Sequence, residues 1–539
     1  MNHQLLPINR FSTSACCIFS VAMLICAAQQ AAAVTALDTY VEKFDSTTGF
    51  TVAATTPGTG FTSYNIDLTS QTWRDPSEVT QVWKTTDDPL QNQWNHKMTI
   101  VQPDQLNTNT AILFINGGSG PGDFVSGSDF LIATEAAKLT RSVFVNLPMV
   151  PNERLQFAGE KITRTEDEII AKTFKKFLDN DPTDNNVDEW PLLLPMVKSA
   201  VAAMDATQAH LASLDEPINI DKFFVFGGSK RGWTTWLTAA VEARPGGPNR
   251  ISGIGPAVID FLNVDESMKH HRNVYKGVTE KLIGGFTQSV GDYVVEGVMQ
   301  QLAPLPVETL SPRAQELLDI IDPFEYRDRL TLPKYIVNST GDQFFAPDSS
   351  KFYYDELSGE KYLRYIPNTD HGLDSSAIEG ALVFKTALDL GIPLPDYTSV
   401  ISEDGTSITV NTDIAPTAVK LWQATNPVNR DFRVETFGAN WTESPLTEQA
   451  AGEYLASVSI PATGATAFMI EMTYLIAGQE LKFTSGVSVV GVPEPASCAL
   501  LLSGLAAGLL SVRRFGSRSA RPSRGRSRRG RVPRATICG

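Results

Sequence analysis

A serine lies at a predicted strand-to-helix turn in the stretch VFGGSKRGWTT, residues 225–235. Ser229 follows the apolar run KFFVFGG and precedes KRGWTTWLTAAVE, so a strand, a sharp turn and a helix are expected in that order. This is the context in which a serine hydroxyl projects above a sheet edge as a nucleophile. Arg231 occupies the place of the second glycine of the usual G-x-S-x-G turn, and Gly232 follows it, so Gly232 is expected to make the close approach while Arg231 points outward. The alternative is that Ser229 is an ordinary helix N-cap, because serine is a preferred capping residue.

A possible base and acid follow the serine in the chain order of an α/β-hydrolase triad. His371, in YIPNTDHGLDSS, is the one histidine in the final part of the predicted α/β region. Asp342, in the loop after the preceding predicted strand, comes 29 residues earlier. We therefore predict that Ser229, Asp342 and His371 form a Ser-Asp-His triad, in which the histidine activates the serine and the aspartate orients the histidine.

Other ionisable residues offer alternatives to these assignments. Asp348 shares the loop of Asp342 and is the second candidate for the acid. Two further carboxylates, Asp370 and Asp374, are too close in sequence to His371 to orient its ring from the opposite side. The pair 270–271 is interpreted as structural or as part of a cleft wall. No H-x-x-x-H or H-x-x-E-H spacing occurs, so no metal site is predicted.

Backbone N–H groups near the serine are candidates for an oxyanion hole. The N–H of Lys230 lies at the expected helix start, where the helix dipole favours negative charge. A second donor is expected from Gly117 or Gly118 in AILFINGGSGPGD, after an early strand. A plain glycine turn is the alternative there, and the lack of a following lysine with Ser or Thr argues against a phosphate-binding loop. Asn116 and Arg231 are further candidates for substrate contact.

These residues together predict hydrolysis of an ester or peptide bond through an acyl-enzyme, with no cofactor. The cations Lys230 and Arg231 suggest a carboxylated ligand, such as a uronate ester or a peptide C-terminus, although the alternative is that both side chains face solvent.

The charge and the cysteine distribution exclude several other classes of function. Between Val34 and Val490 the chain carries 34 basic and 59 acidic residues, a net charge near −25, which argues against a nucleic-acid partner. Ten arginines between residues 513 and 534 bring the whole chain to −15. The body contains no cysteine, so it has no thiol nucleophile, disulfide or thiolate zinc site. The five cysteines all lie near the termini, at Cys16, Cys17, Cys26, Cys498 and Cys538.

Both ends of the chain resemble targeting segments. Residues 1–33, with the apolar run ACCIFSVAMLICAA and then three alanines, are predicted to be a signal peptide; a retained membrane anchor is the alternative. In 491–539, VPEP precedes ASCALLLSGLAAGLLSV and Arg513-Arg514, an order that resembles the PEP-CTERM sorting signal. That resemblance implies transient anchoring in the inner membrane, processing by an exosortase, and delivery to the cell surface or extracellular matrix of a Gram-negative-type bacterium. The Arg/Ser/Gly-rich continuation after the arginines departs from the pattern and is predicted to be disordered.

The body alternates short apolar runs with helical stretches. This pattern predicts an α/β domain over 34–392, with a mostly parallel central sheet and a cap-like helical insertion at about 150–220. Residues 393–490 instead show short alternating strands between turns, which predict a small β-sandwich-like domain. Helices are expected at 166–180, 188–214, 230–243, 263–276, 287–302 and 374–390. Strands are expected at 98–102, 111–116, 142–147, 222–227, 251–259, 334–340 and 361–366.

The segments GGSKRGWTTW, INGGSGPGD, STGDQFFAPDSS and PNTDHGL resemble the PhoPQ-activated pathogenicity-related protein family over roughly residues 35–480. The resemblance implies an α/β-hydrolase fold in secreted or envelope proteins, and it makes Arg231 part of the usual pattern after the serine. It implies no defined substrate. Two functions are carried forward: a secreted or surface serine hydrolase, and a non-catalytic surface or matrix binding protein that retains the hydrolase fold.

Overall fold

The computed structural model describes residues 34–84, 92–118, 122–276, 278, 280–305 and 309–491. The predicted signal peptide and all but the first residue of the predicted sorting segment lie outside the described residues. Within the described part, no helix combines the length and apolarity needed to cross a membrane.

The strands are distributed along the whole described chain. Their bounds are β1 (Gly49–Gly58), β2 (Phe61–Thr72), β3 (Val79–Gln81), β4 (Gln93–Pro103), β5 (Thr110–Ile115), β6 (Phe144–Leu147), β7 (Leu155–Phe157), β8 (Lys222–Gly228), β9 (Ile251–Ala257), β10 (Leu282–Ile283), β11 (Phe286–Thr287), β12 (Lys334–Ser339), β13 (Lys361–Ile366), β14 (Tyr397–Ile401), β15 (Ser407–Thr412), β16 (Ala418–Asn426), β17 (Thr442–Pro445), β18 (Glu453–Ser457), β19 (Ala465–Ile476), β20 (Gln479–Thr484) and β21 (Ser488–Gly491).

The helices lie mainly in the first four hundred residues. Their bounds are α1 (Ala36–Glu42), α2 (Gly127–Thr140), α3 (Glu166–Asp179), α4 (Leu193–Ala212), α5 (Lys230–Glu242), α6 (Val264–Val274), α7 (Gly291–Val295), α8 (Val298–Leu302), α9 (Pro312–Ile321), α10 (Ser376–Leu390) and α11 (Val434–Phe437).

A nine-stranded sheet forms the centre of the α/β domain, in the order β1-β2-β4-β6-β5-β8-β9-β12-β13. The six strands from β6 to β13 are parallel, whereas β1, β2 and β4 extend the sheet as antiparallel strands. All seven predicted strands are present in this sheet. They were recognisable because both faces of a parallel sheet are covered, which requires nearly continuous apolar runs.

Strand β8 shows how the two faces are covered. Phe223 and Val225 belong to the core on one face, which includes residues of α4 and α5. Phe224 and Phe226 belong to the core on the other face, which includes residues of α2 and α10. This layered arrangement and strand order define an α/β-hydrolase fold, as predicted from the sequence.

Two segments of chain, rather than one, cover the site end of the sheet. Within the predicted insertion at 150–220, only α3 belongs to this cover, because α4 is the crossover helix that packs on α5 and β2. The rest comes from 258–333, between β9 and β12, where α7, α8 and α9 pack against α3. The single helix predicted at 287–302 is wrong: Gly297, with a φ of +75°, separates α7 from α8.

The C-terminal part consists of two antiparallel sheets, β14-β15-β18 and β17-β16-β19-β20 with β21 beside β19. Buried residues of both sheets share one apolar core. The Phe483 ring lies 4.7 Å from the Tyr362 ring of β13, and the Thr484 hydroxyl accepts a hydrogen bond of 3.0 Å from the Tyr365 N–H. The β-rich part is therefore packed against the last strand of the central sheet.

Candidate active site

Ser229 stands at the turn between β8 and α5. Its backbone has φ +58° and ψ −129°, a conformation that L-residues rarely adopt and that matches a nucleophile elbow. The turn is fixed by a 2.8 Å hydrogen bond from the Ser229 N–H to the Ala257 carbonyl and a 2.9 Å bond from the Trp233 N–H to the Ser229 carbonyl. The Ser229 side chain makes no capping hydrogen bond, which counts against the N-cap alternative.

The glycine displaced by one position makes the close contact that the turn requires. A Cβ atom on Gly232 would lie 2.8 Å from the Ala257 carbonyl oxygen, and one on Gly227 would lie 2.9 Å from the Arg231 backbone. A Cβ on Gly228 would meet its nearest neighbour, Val258, only at 3.9 Å. Gly232 therefore allows α5 to approach β9, as expected from the sequence.

The predicted acid and base are hydrogen-bonded to each other. His371 Nδ1 lies 3.0 and 2.9 Å from the two carboxylate oxygens of Asp342. The Asp342 side chain is 3% exposed and also accepts a 2.7 Å bond from the Phe344 N–H, which fixes the carboxylate. Since Asp342 accepts the Nδ1 proton, Nε2 is the basic nitrogen of the ring. This Nε2 atom is buried and makes no hydrogen bond within the described structure.

Ser229 follows β8 and His371 follows β13, with β9 and β12 between them in the sheet, and both lie next to one pocket. Ser229 and Lys230 line it together with Phe344 and Phe345. The rings of these two phenylalanines lie 4.3 and 6.0 Å from the His371 ring. The described structure contains no hydrogen bond between the serine hydroxyl and His371 Nε2; in unliganded sites such bonds are often long and tighten only when substrate binds.

The alternative acids have other partners. Asp348 accepts hydrogen bonds from His270 Nε2 at 2.8 Å, Lys351 Nζ at 2.8 Å and Arg430 at 3.0 Å. Burial alone would raise the pKa of Asp348, but the charges of these three neighbours lower it well below its usual range. The loop residues Asp370 and Asp374 accept backbone N–H groups of their own turns. The other histidine of the pair, at position 271, is buried and lies 3.2 Å from the Thr287 hydroxyl.

The candidate oxyanion donors differ in availability. The N–H of Lys230 begins α5, where a backbone donor has no partner within the helix. The N–H of Gly117 donates to the Asn116 side chain at 2.8 Å, and the Asn116 amide donates to Asn146 at 3.1 Å. The N–H of Gly118 makes no hydrogen bond to the described residues. The structure thus leaves the donors of Lys230 and Gly118 open, and it occupies those of Gly117 and Asn116.

The cationic side chains beside the serine are paired within the chain, and neither points freely to solvent. The Arg231 guanidinium forms a two-pronged contact with Glu166, at 2.6 and 2.8 Å, and donates to the Val150 carbonyl. The Lys230 ammonium contacts Glu166 at 2.6 Å and Asp167 at 3.0 Å. Arg231 is therefore turned inward, contrary to the outward orientation expected from the sequence.

The acidic side chains around these two cations lie in or next to α3, the first of the two segments that cover the site. The sequence did not predict this pairing. Burial by itself would raise the pKa of Glu166, but the hydrogen bonds and charge of Arg231, with Lys230, lower it to about 2. Burial and the nearby charge of Glu166 raise the pKa of Glu153 to about 7. The available signal was the run TEDE, the acidic first turn of a predicted helix. It meets the two cations only in the folded chain and lies far from them in sequence.

A further buried carboxyl, that of Asp260, lies near the loop that carries Asp342. Asp260, after β9, accepts hydrogen bonds from Tyr353 at 2.7 Å and Tyr365 at 2.6 Å. Burial raises the pKa of Asp260 to about 7, despite these hydrogen bonds. The pair of tyrosines joins β13 to the loop that carries Asp342, so this group supports the base and acid loops. Within the described residues, no group of three or more His, Cys, Asp or Glu side chains is arranged to hold a metal ion.

The sheet order and the helices on both its faces define a protein with an α/β-hydrolase fold, in which Ser229 and the His371–Asp342 pair lie in loops that follow the parallel strands. The chain belongs to the PhoPQ-activated pathogenicity-related protein family, whose model matches residues 37–433. The family resemblance read from the sequence is thereby confirmed.

The chain is also similar in sequence to a protein from Dictyostelium discoideum, and solved structures of esterases were matched to it. The chain is 34% identical over 484 residues to autocrine proliferation repressor protein A of Dictyostelium discoideum, covering 85% of this chain and 90% of that protein. Among solved structures, acetyl xylan esterase 1 from Thermoanaerobacterium sp. JW/SL YS485 is 14% identical with a TM-score of 0.39, covering 66% of this chain and 92% of that one. A glucuronoyl esterase from Solibacter usitatus is 10% identical with a TM-score of 0.38, covering 66% and 91%.

Proposed function

We propose that this protein is a serine hydrolase that cleaves an ester or peptide bond through an acyl-enzyme. The observation that carries the proposal is the combination of Ser229, on a strained turn with an unbonded hydroxyl, and the hydrogen-bonded His371–Asp342 pair beside the same pocket. A serine on such a turn and a histidine oriented by a carboxylate, both at the carboxyl ends of parallel strands, are the groups that a catalytic triad uses.

The proposed reaction has two steps. His371 Nε2 takes the Ser229 proton while Oγ forms a bond to the carbonyl carbon, and the proton then passes to the leaving alcohol or amine as its bond to that carbon breaks. Water attacks the acyl-enzyme with His371 again as base, which releases the acid and restores the serine. The N–H groups of Lys230 and Gly118 would hold the oxyanion, each contributing roughly 3–4 kcal/mol to transition-state stabilisation.

The direct test is Ser229→Ala in the full-length chain, assayed on a panel of simple esters and peptides. The expected result is a loss of kcat/KM of at least about 10³-fold with an unchanged melting temperature, because the small side chain at this turn carries no hydrogen bond to lose. Hydrolysis that survives the substitution in folded protein would remove Ser229 from the mechanism.

A non-catalytic binding protein is the second candidate. It is favoured by the name of the Dictyostelium relative, which describes repression of proliferation and no reaction. One variant distinguishes the two candidate functions. If Ser229→Ala retains a biological effect of the wild-type protein, that effect arises from binding and not from turnover.

We also propose that the protein is exported and transiently anchored at the inner membrane before an exosortase-like enzyme releases it to the cell surface or matrix. The support is the apolar and Ala-rich N-terminus and the VPEP–apolar–arginine order at the C-terminus. Mass determination of the protein recovered from the cell surface should show both ends removed, near residues 33 and 491. A cell-associated chain of full mass would contradict the proposal.

A further inference from the structure

An apolar cavity adjoins Ser229 beneath the helices that cover the site. The first turn of α5 contributes Trp233, and Phe174 of α3 packs against it with ring centres 5.9 Å apart. A further part of the wall is formed by Met268 of α6 with Met299 and Leu302 of α8. We call this cavity, bounded by these residues and by Phe344 and Phe345, the apolar pocket.

The polar groups in the wall of the apolar pocket satisfy one another. The Tyr293 hydroxyl donates to Asp167 at 2.8 Å, and the Lys230 ammonium contacts Asp167 and Glu166 at 3.0 and 2.6 Å. The Trp233 indole N–H donates to the Ile321 carbonyl. A charged group entering the pocket would therefore lose its water without gaining a free partner, so the pocket suits an uncharged apolar group.

The size of the pocket limits what it can hold. Its cavity volume is about 40 Å³, and a single water needs roughly 10–15 Å³ on this measure, so about three non-hydrogen atoms fit. The walls are fixed by ring packing: Trp233 meets Phe261 edge-on at 4.7 Å, and Phe261 stacks on Phe345 at 5.4 Å. Such a wall cannot widen for a long chain without breaking these contacts.

We infer that the apolar pocket holds the acyl side of the substrate, and that the enzyme acts on esters of short, uncharged acyl groups of up to about four carbons. This inference rests on the proposed function. Of the two products, the alcohol must leave while the acyl group stays bonded to Ser229 until water attacks. A small apolar cavity beside the serine, with walls fixed by ring packing, suits the group that stays, whereas the leaving group needs an open path to solvent.

The chemistry of each turnover balances without a further reactant. The Ser229 Oγ–acyl bond forms as the acyl–alcohol bond breaks, and the serine proton goes to the alcohol. The acyl–Oγ bond then breaks as water adds its oxygen to the acyl carbon and returns a proton to Ser229. The carboxylated ligand suggested by Lys230 and Arg231 is disfavoured, since both cations already hold carboxylates of the chain.

The test compares p-nitrophenyl acetate, butyrate and octanoate as substrates of the full-length protein, with Ser229→Ala as the blank. The expected kcat/KM for octanoate is about 100-fold below that for butyrate, because each methylene that does not fit costs a large factor. Methyl butyrate and monomethyl succinate, whose acyl groups have the same number of carbons, test the effect of a charge on the acyl group, with hydrolysis measured as acid release. Monomethyl succinate should react at least about tenfold more slowly.

Two variants test the part of the wall that α8 contributes. Leu302→Ala and Met299→Ala should each raise the octanoate-to-butyrate ratio by about tenfold, since they lengthen the cavity. Leu318→Ala is the matched control, because Leu318 is buried in α9 but does not line the pocket; it should leave the ratio unchanged.

The two proposals fail in different ways. Ser229-dependent hydrolysis that is as fast for octanoate as for butyrate, that favours succinate, or that is unmoved by both wall variants overturns the short-acyl inference and keeps the serine hydrolase. Absence of Ser229-dependent hydrolysis of every ester and peptide overturns the proposed function itself.

Discussion

Two aspartates six positions apart in one loop have separate histidine partners. Asp342 holds His371 at 2.9 Å, whereas Asp348 holds His270 at 2.8 Å and also contacts Lys351 and Arg430. The first pair lies beside Ser229 through Phe344 and Phe345, and the second forms part of an ion-pair cluster. The loop therefore contains both a proposed catalytic acid and a structural acid, and substitution distinguishes them.

Asp342→Asn should lower kcat by about 10³–10⁴-fold and leave the fold intact, because the asparagine oxygen can still accept the Phe344 N–H while His371 loses its orienting carboxylate. Asp348→Asn is the matched control. It should leave kcat within about twofold and lower the free energy of unfolding by about 2 kcal/mol, since Lys351 and Arg430 lose a buried counter-charge. The reverse pattern in steady-state kinetics and urea unfolding would transfer the acid role to Asp348.

At the scale of elements, the turn from β8 into α5 depends on two glycines that are not interchangeable. Gly232→Ala should lower the free energy of unfolding by about 1–3 kcal/mol, because the added Cβ would meet the Ala257 and Gly227 carbonyl oxygens at 2.8 and 3.0 Å. Gly228→Ala, whose nearest contact is at 3.9 Å, should change it by less than about 0.5 kcal/mol. Chemical unfolding of both variants checks this; equal losses would show that Gly232 is not the close-approach residue.

The segment that leads into α3 carries a pH-dependent contribution to stability. The pKa of Glu153 is raised to about 7, above its value in an unfolded chain, so its contribution is fully present at low pH and is lost as the pH rises through about 7. Relative to wild type, Glu153→Gln should therefore gain about 2 kcal/mol in free energy of unfolding between pH 5 and pH 8. Urea unfolding at the two pH values measures this difference, and a difference that does not change with pH would contradict it.

The elements that the sequence predicted well are those with a strong local pattern. The seven strands predicted for the central sheet appear as continuous apolar runs, and the triad candidates follow from their positions after β8, β12 and β13. Helices α2 and α9 were not predicted. The break at Gly297 was not predicted either, because α7 and α8 are short and depend on packing against α3 for their position.

At the scale of the whole molecule, the site lies where the sheet edge meets the cover built from two separate chain segments. The pairing of Lys230 and Arg231 with Glu166 spans 64 and 65 positions, and the apolar pocket draws on α3, α5, α6 and α8. Neither has a local sequence pattern, since both depend on which side chains meet after distant segments pack. The sequence named the candidate reacting groups, whose roles stay a prediction, but not the charge neutralisation beside them. That neutralisation is the reason why we propose an uncharged substrate in place of the carboxylated one expected from the sequence.

The central claim, that Ser229 is the nucleophile, is tested most directly by labelling the full-length protein with a fluorophosphonate and locating the adduct by mass spectrometry. The predicted result is one adduct per chain on the peptide that contains Ser229, with none in Ser229→Ala and strongly slowed labelling in His371→Ala. A folded wild-type protein that takes no label, or a label that persists in Ser229→Ala, would contradict the account.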